Sequence, residues 1–215
     1  MSWMDRGGIA ASLIKWSLLV ALAMAPRAVA AAPYRLLVLG DSIGAGYGVA
    51  PDEAFPARLA ADLDDSGHPV IILNASVSGD TTANGLARLD DAITRHPDGA
   101  LIELGANDAL PGIDPAVTEA NLDKILARFD AANIPVLILG MRAPGNWGHD
   151  YQSRFDAVFP RIAAAYHPAL YPFLLDGIAL DPKFNQPDLL HPNAAGADLI
   201  ARKMAPYVLR LMEKR

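Results

Sequence analysis

The sequence predicts one α/β domain, in which a parallel sheet of about five strands is covered by helices on both faces. Short runs of branched apolar residues alternate along the chain with longer segments whose apolar residues recur three and four positions apart. The short runs lack the alternating polar positions of a half-exposed strand, which favours burial on both faces of a parallel sheet. The alternation itself favours right-handed βαβ units. The chain of 215 residues is long enough for one sizeable core.

Five apolar runs are predicted as strands, and the first two are expected to be buried. They are residues 35–39, 70–73, 100–104, 135–140 and 170–175. The fifth run contains Pro172, which has no N–H to donate to a neighbouring strand, and we therefore expect this strand at an edge of the sheet.

Helices are predicted between these strands from the spacing of apolar residues. The helix that opens at Asp114 and Pro115 is the clearest, because Asp is a good N-cap and Pro suits the first helical position. The apolar stripes of the other helices are Phe55, Leu59 and Leu63; Leu86, Leu89 and Ile93; Tyr151, Phe155, Val158 and Ile162; and Ile200, Met204, Val208 and Leu211. We expect Thr81 or Thr82 to cap the second of these helices, Pro160 to break the third, and Asn193 to begin the last.

The first thirty residues have the composition of a secretory signal peptide. Arg6 and Lys15 precede an apolar run at 16–25, and Ala28-Val29-Ala30 places small residues at the spacing that signal peptidases cleave, before Ala31. The apolar run of ten residues is too short for a membrane-spanning helix, which needs about 20. The sequence therefore predicts export to the periplasm or beyond, with 1–30 removed and 31–215 forming the single domain.

Composition excludes several classes of protein and site. A formal net charge of −6 argues against a nucleic-acid surface, and 52% hydrophobic with 20% charged residues argues against a disordered chain. Because the chain has no cysteine, it has no disulfide, thiolate nucleophile or cysteine-bearing zinc site. His68, His96, His149 and His167 have no metal-binding spacing among them.

Polar residues follow three of the predicted strands and precede the last helix. Ser42 follows the first strand, 78–80 the second and 105–108 the third, while Asp188 and His191 lie ahead of the final helix. Ligands bind outside the carboxyl ends of the strands in open α/β sheets, and we expect these segments to meet there.

A serine hydroxyl needs a base to act as a nucleophile, and the base needs a group that fixes its tautomer. Asp188 can accept the Nδ1–H of His191, which leaves Nε2 free to take the proton from Ser42 Oγ. The sequence therefore predicts Ser42, His191 and Asp188 as catalytic residues.

Attack on a carbonyl also requires fixed donors for the developing oxyanion. The candidates are the backbone N–H groups of Ser42 and Gly79 and the side-chain amide of Asn107. A glycine suits this role because substrate can approach its backbone closely. Asp41 and Asp108 are expected to hold the loops through hydrogen bonds to nearby N–H groups.

Four blocks of the chain together resemble the SGNH (GDSL) hydrolase family. They are Gly40-Asp41-Ser42, Gly79, Gly105-Ala106-Asn107-Asp108 and Asp188-Leu189-Leu190-His191. Residues 40–48 look like its branch of small exported bacterial esterases, which includes arylesterases, acyl thioesterases and lysophospholipases. The resemblance implies a flavodoxin-like three-layer α/β/α fold, the same triad and oxyanion donors, and hydrolysis of carboxylic esters or thioesters through an acyl-enzyme without a metal or cofactor.

Two alternatives remain open at this point. A carbohydrate O-acetyl esterase would need a polar, open cleft, and a non-catalytic module could use the same cleft for a lipid or glycan. A dinucleotide site is disfavoured because the glycines at 44–48 lack the G-x-G-x-x-G spacing. We expect a small or lipid-like ester substrate, a monomer, no nucleic acid and no membrane span in the mature chain. Tyr47, Trp147 and His149 are candidates for lining the substrate site, the last two from a loop at 141–150.

Overall fold

In the computed structural model, which describes residues 32–214, five parallel strands form one sheet in the order β2-β1-β3-β4-β5. The strands are β1 (Tyr34–Gly40), β2 (Val70–Asn74), β3 (Gly99–Glu103), β4 (Val136–Leu139) and β5 (Ala169–Tyr171). The predicted α/β class and five-stranded parallel sheet are confirmed. The signal peptide predicted in 1–30 lies outside the described residues.

The strand order reverses direction at β1. The chain passes from β1 to β2 on one side and then returns to place β3 on the other side of β1. A crevice forms at such a switch point, outside the carboxyl ends of the two adjacent strands. The segments that follow β1 and β3, which begin at Asp41 and Leu104, therefore border one crevice.

Helices connect the strands and form the two outer layers. They are α1 (Ser42–Ala45), α2 (Phe55–Asp65), α3 (Thr82–Ala87), α4 (Leu89–Ile93), α5 (Ala106–Ala109), α6 (Pro115–Ala131), α7 (Gly148–Asp156), α8 (Val158–Tyr166) and α9 (Ala194–Met212), with a 3-10 turn at Gly145–Trp147. Helix α2 packs against α9, while α6 packs against both α3 and α8. Within residues 32–214, no helix is long and apolar enough to cross a membrane.

The core lies on both faces of the three central strands. Leu37 and Val38 of β1, Leu101 of β3 and Leu137 of β4 are fully buried, as two-sided burial of a parallel sheet requires. The expectation that the second strand is buried is wrong: Ile71 of β2 is 43% exposed. Strand β2 has only β1 as a neighbour, so it forms an edge that the apolar run alone does not reveal.

The other edge strand is shorter than the sequence predicts. Strand β5 ends at Tyr171 rather than at residue 175, because Pro172 has no N–H with which to continue the ladder. Its position at the edge of the sheet is as predicted.

Local sequence signals account for the helix boundaries. Asp114 accepts a hydrogen bond from the N–H of Ala116, and Pro115 occupies the first helical position of α6, as predicted. The single helix expected over Leu86–Ile93 is instead two, α3 and α4, which meet at Arg88. The expected break near Pro160 falls at Ala157, between α7 and α8.

The segment after β4 differs from the predicted loop at 141–150. It contains the 3-10 turn, and α7 already begins at Gly148. Tyr151, which was expected to begin the next helix, lies inside α7, and its hydroxyl donates to the carbonyl of Ile113 at 2.8 Å.

Candidate active site

Ser42 is held at the first position of a one-turn helix directly after the central strand β1. Asp41 is the N-cap of this turn, and its Oδ1 accepts the backbone N–H of Ile43 at 3.2 Å. The hydroxyl of Ser42 lies 2.9 Å from Nε2 of His191. The predicted nucleophile and the predicted base are therefore within hydrogen-bond reach of each other.

Asp188 holds the other side of the imidazole. Its Oδ2 lies 2.7 Å from His191 Nδ1, and its Oδ1 accepts the backbone N–H groups of Leu190 at 2.9 Å and His191 at 3.0 Å. These hydrogen bonds, the one to the His191 ring foremost, lower the pKa of Asp188 to about 2. An ionised carboxylate thus fixes the ring with Nδ1 protonated and Nε2 facing Ser42.

Tyr47 packs against the imidazole. The ring centroids of Tyr47 and His191 are 4.6 Å apart at an interplanar angle of 43°, and Tyr47 is 54% exposed. Gln186, which the sequence did not single out, joins the two segments: its Nε2 donates to the carbonyl of Tyr47 at 2.7 Å and to that of Pro192 at 3.0 Å. Its backbone N–H donates to the carbonyl of His191 at 2.8 Å.

The three predicted oxyanion donors, Ser42, Gly79 and Asn107, come from the segments that follow β1, β2 and β3. The amide of Asn107 follows β3 and donates to Asp41 Oδ2 and to the carbonyl of Asp80, both at 3.1 Å. Gly79 precedes Asp80 and is exposed, with a φ of +89°. Within residues 32–214, the backbone N–H groups of Ser42 and Gly79 have no hydrogen-bond acceptor. The assignment of these three donors remains a prediction.

An ion pair that the sequence did not indicate fixes the loop after β2. Arg88 Nε lies 2.6 Å from Asp80 Oδ2, and the guanidinium also donates to the carbonyl of Gly40 at 3.0 Å and to that of Ala75. The two side chains are 23% and 12% exposed. Arg88 therefore ties this loop to the end of β1, one residue before Asp41.

Asp108 has the structural role that the sequence predicts. It is buried and accepts hydrogen bonds from the backbone N–H of Thr82 at 2.8 Å, the hydroxyl of Thr82 at 2.5 Å and the hydroxyl of Thr118 at 3.2 Å. These contacts join the loop after β3 to α3 and α6.

A cavity of about 340 Å³ opens beside Ser42. Ser42, Asn107 and His191 contribute polar groups to its wall, and the rest of the wall is mostly apolar. Its apolar residues include Leu110, Met141, Phe173, Leu180 and Leu190. The guanidinium of Arg142 also borders the cavity and lies 4.7 Å from the centroid of the Phe173 ring.

The three residues predicted to line the substrate site, Tyr47, Trp147 and His149, are not part of this wall. Trp147 donates from Nε1 to the carbonyl of Leu110 at 3.2 Å. His149 is exposed, with its Nδ1 3.4 Å from Ser153 Oγ. Gly79, predicted as an oxyanion donor, does not border the cavity either. The wall comes instead from segments after β1, β3, β4 and β5 and from the turn before α9.

A metal ion or an anionic ligand would need side chains placed to hold it. Among residues 32–214, no group of three or more His, Asp or Glu side chains is placed to hold a metal ion. Arg142 is the cationic side chain at the cavity wall, and its guanidinium stacks on an aromatic ring rather than entering an ion pair of the described chain.

A family model confirms what the four sequence blocks suggested. Residues 38–199 match the model of the GDSL-like lipase/acylhydrolase family. This chain belongs to that family. The match covers both ends of the candidate site, from the strand that precedes Ser42 to the helix that follows His191.

Two named bacterial enzymes are similar to most of this chain. An arylesterase of Vibrio mimicus is 38% identical over 177 residues, which is 82% of this chain and 88% of that protein. Thioesterase 1/protease 1/lysophospholipase L1 of Escherichia coli strain K12 is 40% identical over 184 residues, covering 83% and 87% of the two chains.

Solved structures agree with the fold described above. The crystal structure of TesA has a TM-score of 0.78 and 37% identity, with 82% of this chain and 99% of that chain covered. The psychrotrophic esterase EstA from Pseudoalteromonas sp., in a structure inhibited by monoethylphosphonate, has a TM-score of 0.79 and 31% identity, with 83% and 98% covered. The three-layer fold of this family is thereby confirmed.

Proposed function

We propose that this GDSL-like protein is a serine esterase that hydrolyses carboxylic esters or thioesters through an acyl-enzyme on Ser42. The observation that carries the proposal is the hydrogen-bonded series Ser42, His191 and Asp188, with 2.9 Å and 2.7 Å between the paired atoms. Membership of an acylhydrolase family supports it, as do relatives named arylesterase and thioesterase.

In the acylation step, Ser42 Oγ attacks the carbonyl carbon of the substrate while His191 Nε2 takes the hydroxyl proton. The C=O π electrons move to the oxygen, and the resulting oxyanion accepts hydrogen bonds from the N–H of Ser42, the N–H of Gly79 and Nδ2 of Asn107. The tetrahedral intermediate then expels the alcohol or thiol, which leaves with the proton from His191.

Deacylation repeats the same chemistry with water. His191 Nε2 removes a proton from the water, which attacks the acyl carbon. The carboxylic acid leaves as Ser42 Oγ regains its proton. Asp188 stays ionised throughout because its pKa is about 2, so it stabilises the imidazolium that forms in both steps.

The side-chain amide of Asn107 has to donate one of its two hydrogens to the oxyanion during the reaction. In the structure its amide hydrogens are directed at Asp41 Oδ2 and at the carbonyl of Asp80. An oxyanion beside Ser42 would share the hydrogen that Asp41 now accepts, while the bond to Asp80 would keep the amide in place.

The cavity favours an ester with an apolar acyl part over an acetylated carbohydrate. An acetyl group would leave most of the 340 Å³ unfilled, whereas each CH₂ group that leaves water contributes about 0.8 kcal/mol. The wall around Leu110, Met141 and Phe173 is apolar, and an O-acetyl sugar would instead require a polar cleft. The substrate is therefore a small or lipid-like acyl ester or thioester.

The proposed enzyme acts as a monomer outside the cytoplasm, in the periplasm or beyond. The leader predicted in residues 1–30 supports export. The three proposed catalytic side chains all come from the one chain, so the chemistry requires no second copy.

Covalent labelling with a fluorophosphonate, followed by peptide mass spectrometry, tests this function. We expect one adduct, on Ser42, and none after Ser42→Ala. Ser78→Ala is the matched control, because Ser78 is an exposed serine of the loop after β2, and it should label as the wild type does. A folded wild-type protein without an adduct would favour a non-catalytic binding module, and an adduct on another residue would contradict the assigned nucleophile.

A further inference from the structure

A buried carboxyl group lies against the turn that carries Ser42. Glu103 is the last residue of β3, is fully buried, and pairs in register with Gly40 at the end of β1. Its Oε2 accepts the backbone N–H of Asp41 and that of Gly44, each at 2.9 Å. One oxygen atom therefore holds the turn on both sides of Ser42.

These bonds leave the N–H of Ser42 as the free donor of the turn. The N–H groups of Asp41 and Gly44 are taken by Glu103, and that of Ile43 is taken by Asp41 Oδ1. Over residues 41–44, only the N–H of Ser42 lacks an acceptor within the described part of the chain. This is the N–H that the proposed reaction directs at the oxyanion.

Two glycines provide the space that the carboxyl group occupies. A Cβ atom at Gly40 would overlap Glu103 Oε2, and one at Gly44 would lie 2.9 Å from the same oxygen and closer still to Ser76 Oγ. The glycines on either side of Asp41-Ser42 thus allow Glu103 to approach the backbone of the turn.

The surroundings favour a neutral Glu103. Burial first, and then repulsion from the adjacent Asp41 carboxylate, raise the pKa of Glu103 well above its ordinary value. Two neighbouring buried carboxyl groups cannot both ionise without a large cost. A neutral carboxylic acid still offers a carbonyl oxygen to two N–H groups, and it places no negative charge beside the developing oxyanion.

We propose that Glu103 is a positioning residue for ester hydrolysis: its buried carboxyl group binds the N–H groups of Asp41 and Gly44. The turn is thereby fixed with the Ser42 N–H free for the oxyanion and the Ser42 hydroxyl facing His191. This inference rests on the proposed function. It adds the end of β3 to the parts of the fold that set the geometry of the nucleophile.

The test compares Glu103→Gln, Glu103→Leu and Glu103→Asp in the mature protein, residues 31–215. Gln keeps an uncharged acceptor oxygen at the same distance, and kcat on a p-nitrophenyl ester should stay within about threefold of wild type. Leu removes the acceptor and Asp withdraws it by one CH₂ group, and each should lower kcat by at least about tenfold with KM changed by less than about twofold. The rate of fluorophosphonate labelling at Ser42 should fall in parallel.

Tyr34→Phe is the control for a purely structural loss. Tyr34 is buried at the opposite end of β1, where its hydroxyl donates to the carbonyl of Asp98 at 2.9 Å. This variant should lower Tm and leave kcat unchanged. The Glu103→Asp variant retains a carboxyl group and supplies the answer if Glu103→Leu does not fold.

Unchanged kcat in folded Glu103→Leu or Glu103→Asp would overturn the inference. If Glu103→Gln lowers kcat as much as Glu103→Leu does, an uncharged acceptor oxygen is not sufficient, and this part of the inference would be overturned. Failure of the proposed function looks different, because then the wild-type protein itself would acquire no label on Ser42.

Discussion

Ser42 Oγ and His191 Nε2 lie 2.9 Å apart although 149 positions separate the two residues in the sequence. The sheet accounts for this proximity. Ser42 follows β1 at the point where the strand order reverses, and the turn that holds His191 precedes α9, the helix that packs against α2. The two residues therefore meet at the crevice where ligands bind in open α/β sheets.

His191→Ala should lower kcat on a p-nitrophenyl ester by about 10³-fold or more, because it removes the imidazole nitrogen that lies 2.9 Å from the Ser42 hydroxyl. Asp188→Ala should be less severe, since the base is still present although no longer oriented. His68→Ala is the control, because His68 is an exposed histidine outside the site. Circular dichroism checks that each variant is folded. A His191→Ala enzyme with a tenth or more of wild-type kcat would contradict the assignment of the base.

Asn107→Ala should lower kcat by about 10²-fold with little change in KM, because an oxyanion donor acts mainly in the transition state. Steady-state kinetics with one ester over a range of concentrations separates the two parameters. Asn84→Ala is the control: Asn84 forms the reciprocal cap of α3 with Thr81, so its loss should lower Tm but leave kcat unchanged. An effect of Asn107→Ala on KM alone would assign this amide to ground-state binding.

Asp188 should contribute to stability in a pH-dependent way. Its pKa is lowered from 3.8 to about 2 in the folded protein. A depressed carboxyl pKa stabilises the fold at a pH above the unfolded value, and this contribution is lost as the pH falls through the folded value. The difference in Tm between wild type and Asp188→Asn should be constant above about pH 5 and should narrow between 3.8 and about 2. A difference that does not change over that range would argue against an ionised Asp188 bound to His191.

Filling the cavity should alter the preference for acyl length. Ala179 contributes to the cavity wall, and Ala179→Phe should lower kcat/KM for a p-nitrophenyl decanoate by about tenfold more than for the acetate. Ala131→Phe, at an exposed position at the end of α6, is the control for adding a ring to the surface. An equal effect of Ala179→Phe on both esters would show that the acyl chain does not occupy this cavity.

The sequence predicts the fold best where burial is two-sided. Strands β1, β3 and β4 are central, so their apolar runs carry a clear signal. Strands β2 and β5 are edges. Pro172 marks β5 as an edge strand, but no local pattern marks β2, whose edge position follows from the strand order. The exposure of Ile71 and the early end of β5 at Tyr171 therefore appear only in the structure.

Some contacts of the candidate site can also be predicted from the sequence, and others cannot. Asp188 and His191 are three residues apart, so their pairing can be predicted from spacing. Arg88, Gln186 and Glu103 act on backbone N–H and C=O groups, and most of these contacts cross between distant segments: Glu103 is 62 positions from Asp41 and Arg88 is 48 from Gly40. Because every residue carries such backbone groups, no residue pattern marks these partners.

The predicted substrate-lining residues show the same limit. Trp147 and His149 were expected to line the substrate site from a loop, and this role stays a prediction. The segment contains the 3-10 turn and the start of α7 instead of a loop. The wall of the cavity is built by Leu110, Met141 and Phe173, which follow three different strands. Their common surface depends on the order of the strands in the folded sheet, so the sequence indicates an acyl substrate without indicating the shape of its pocket.

The hydrolysis rate of Ser42→Ala, measured with the same p-nitrophenyl ester under saturating conditions, tests the central claim most directly. We predict a loss of kcat of about 10³-fold or more at an unchanged Tm, because the variant removes one hydroxyl oxygen and keeps the backbone N–H of the turn. Ser42→Ala protein that is folded and hydrolyses the ester within tenfold of the wild-type rate would contradict Ser42 as the nucleophile.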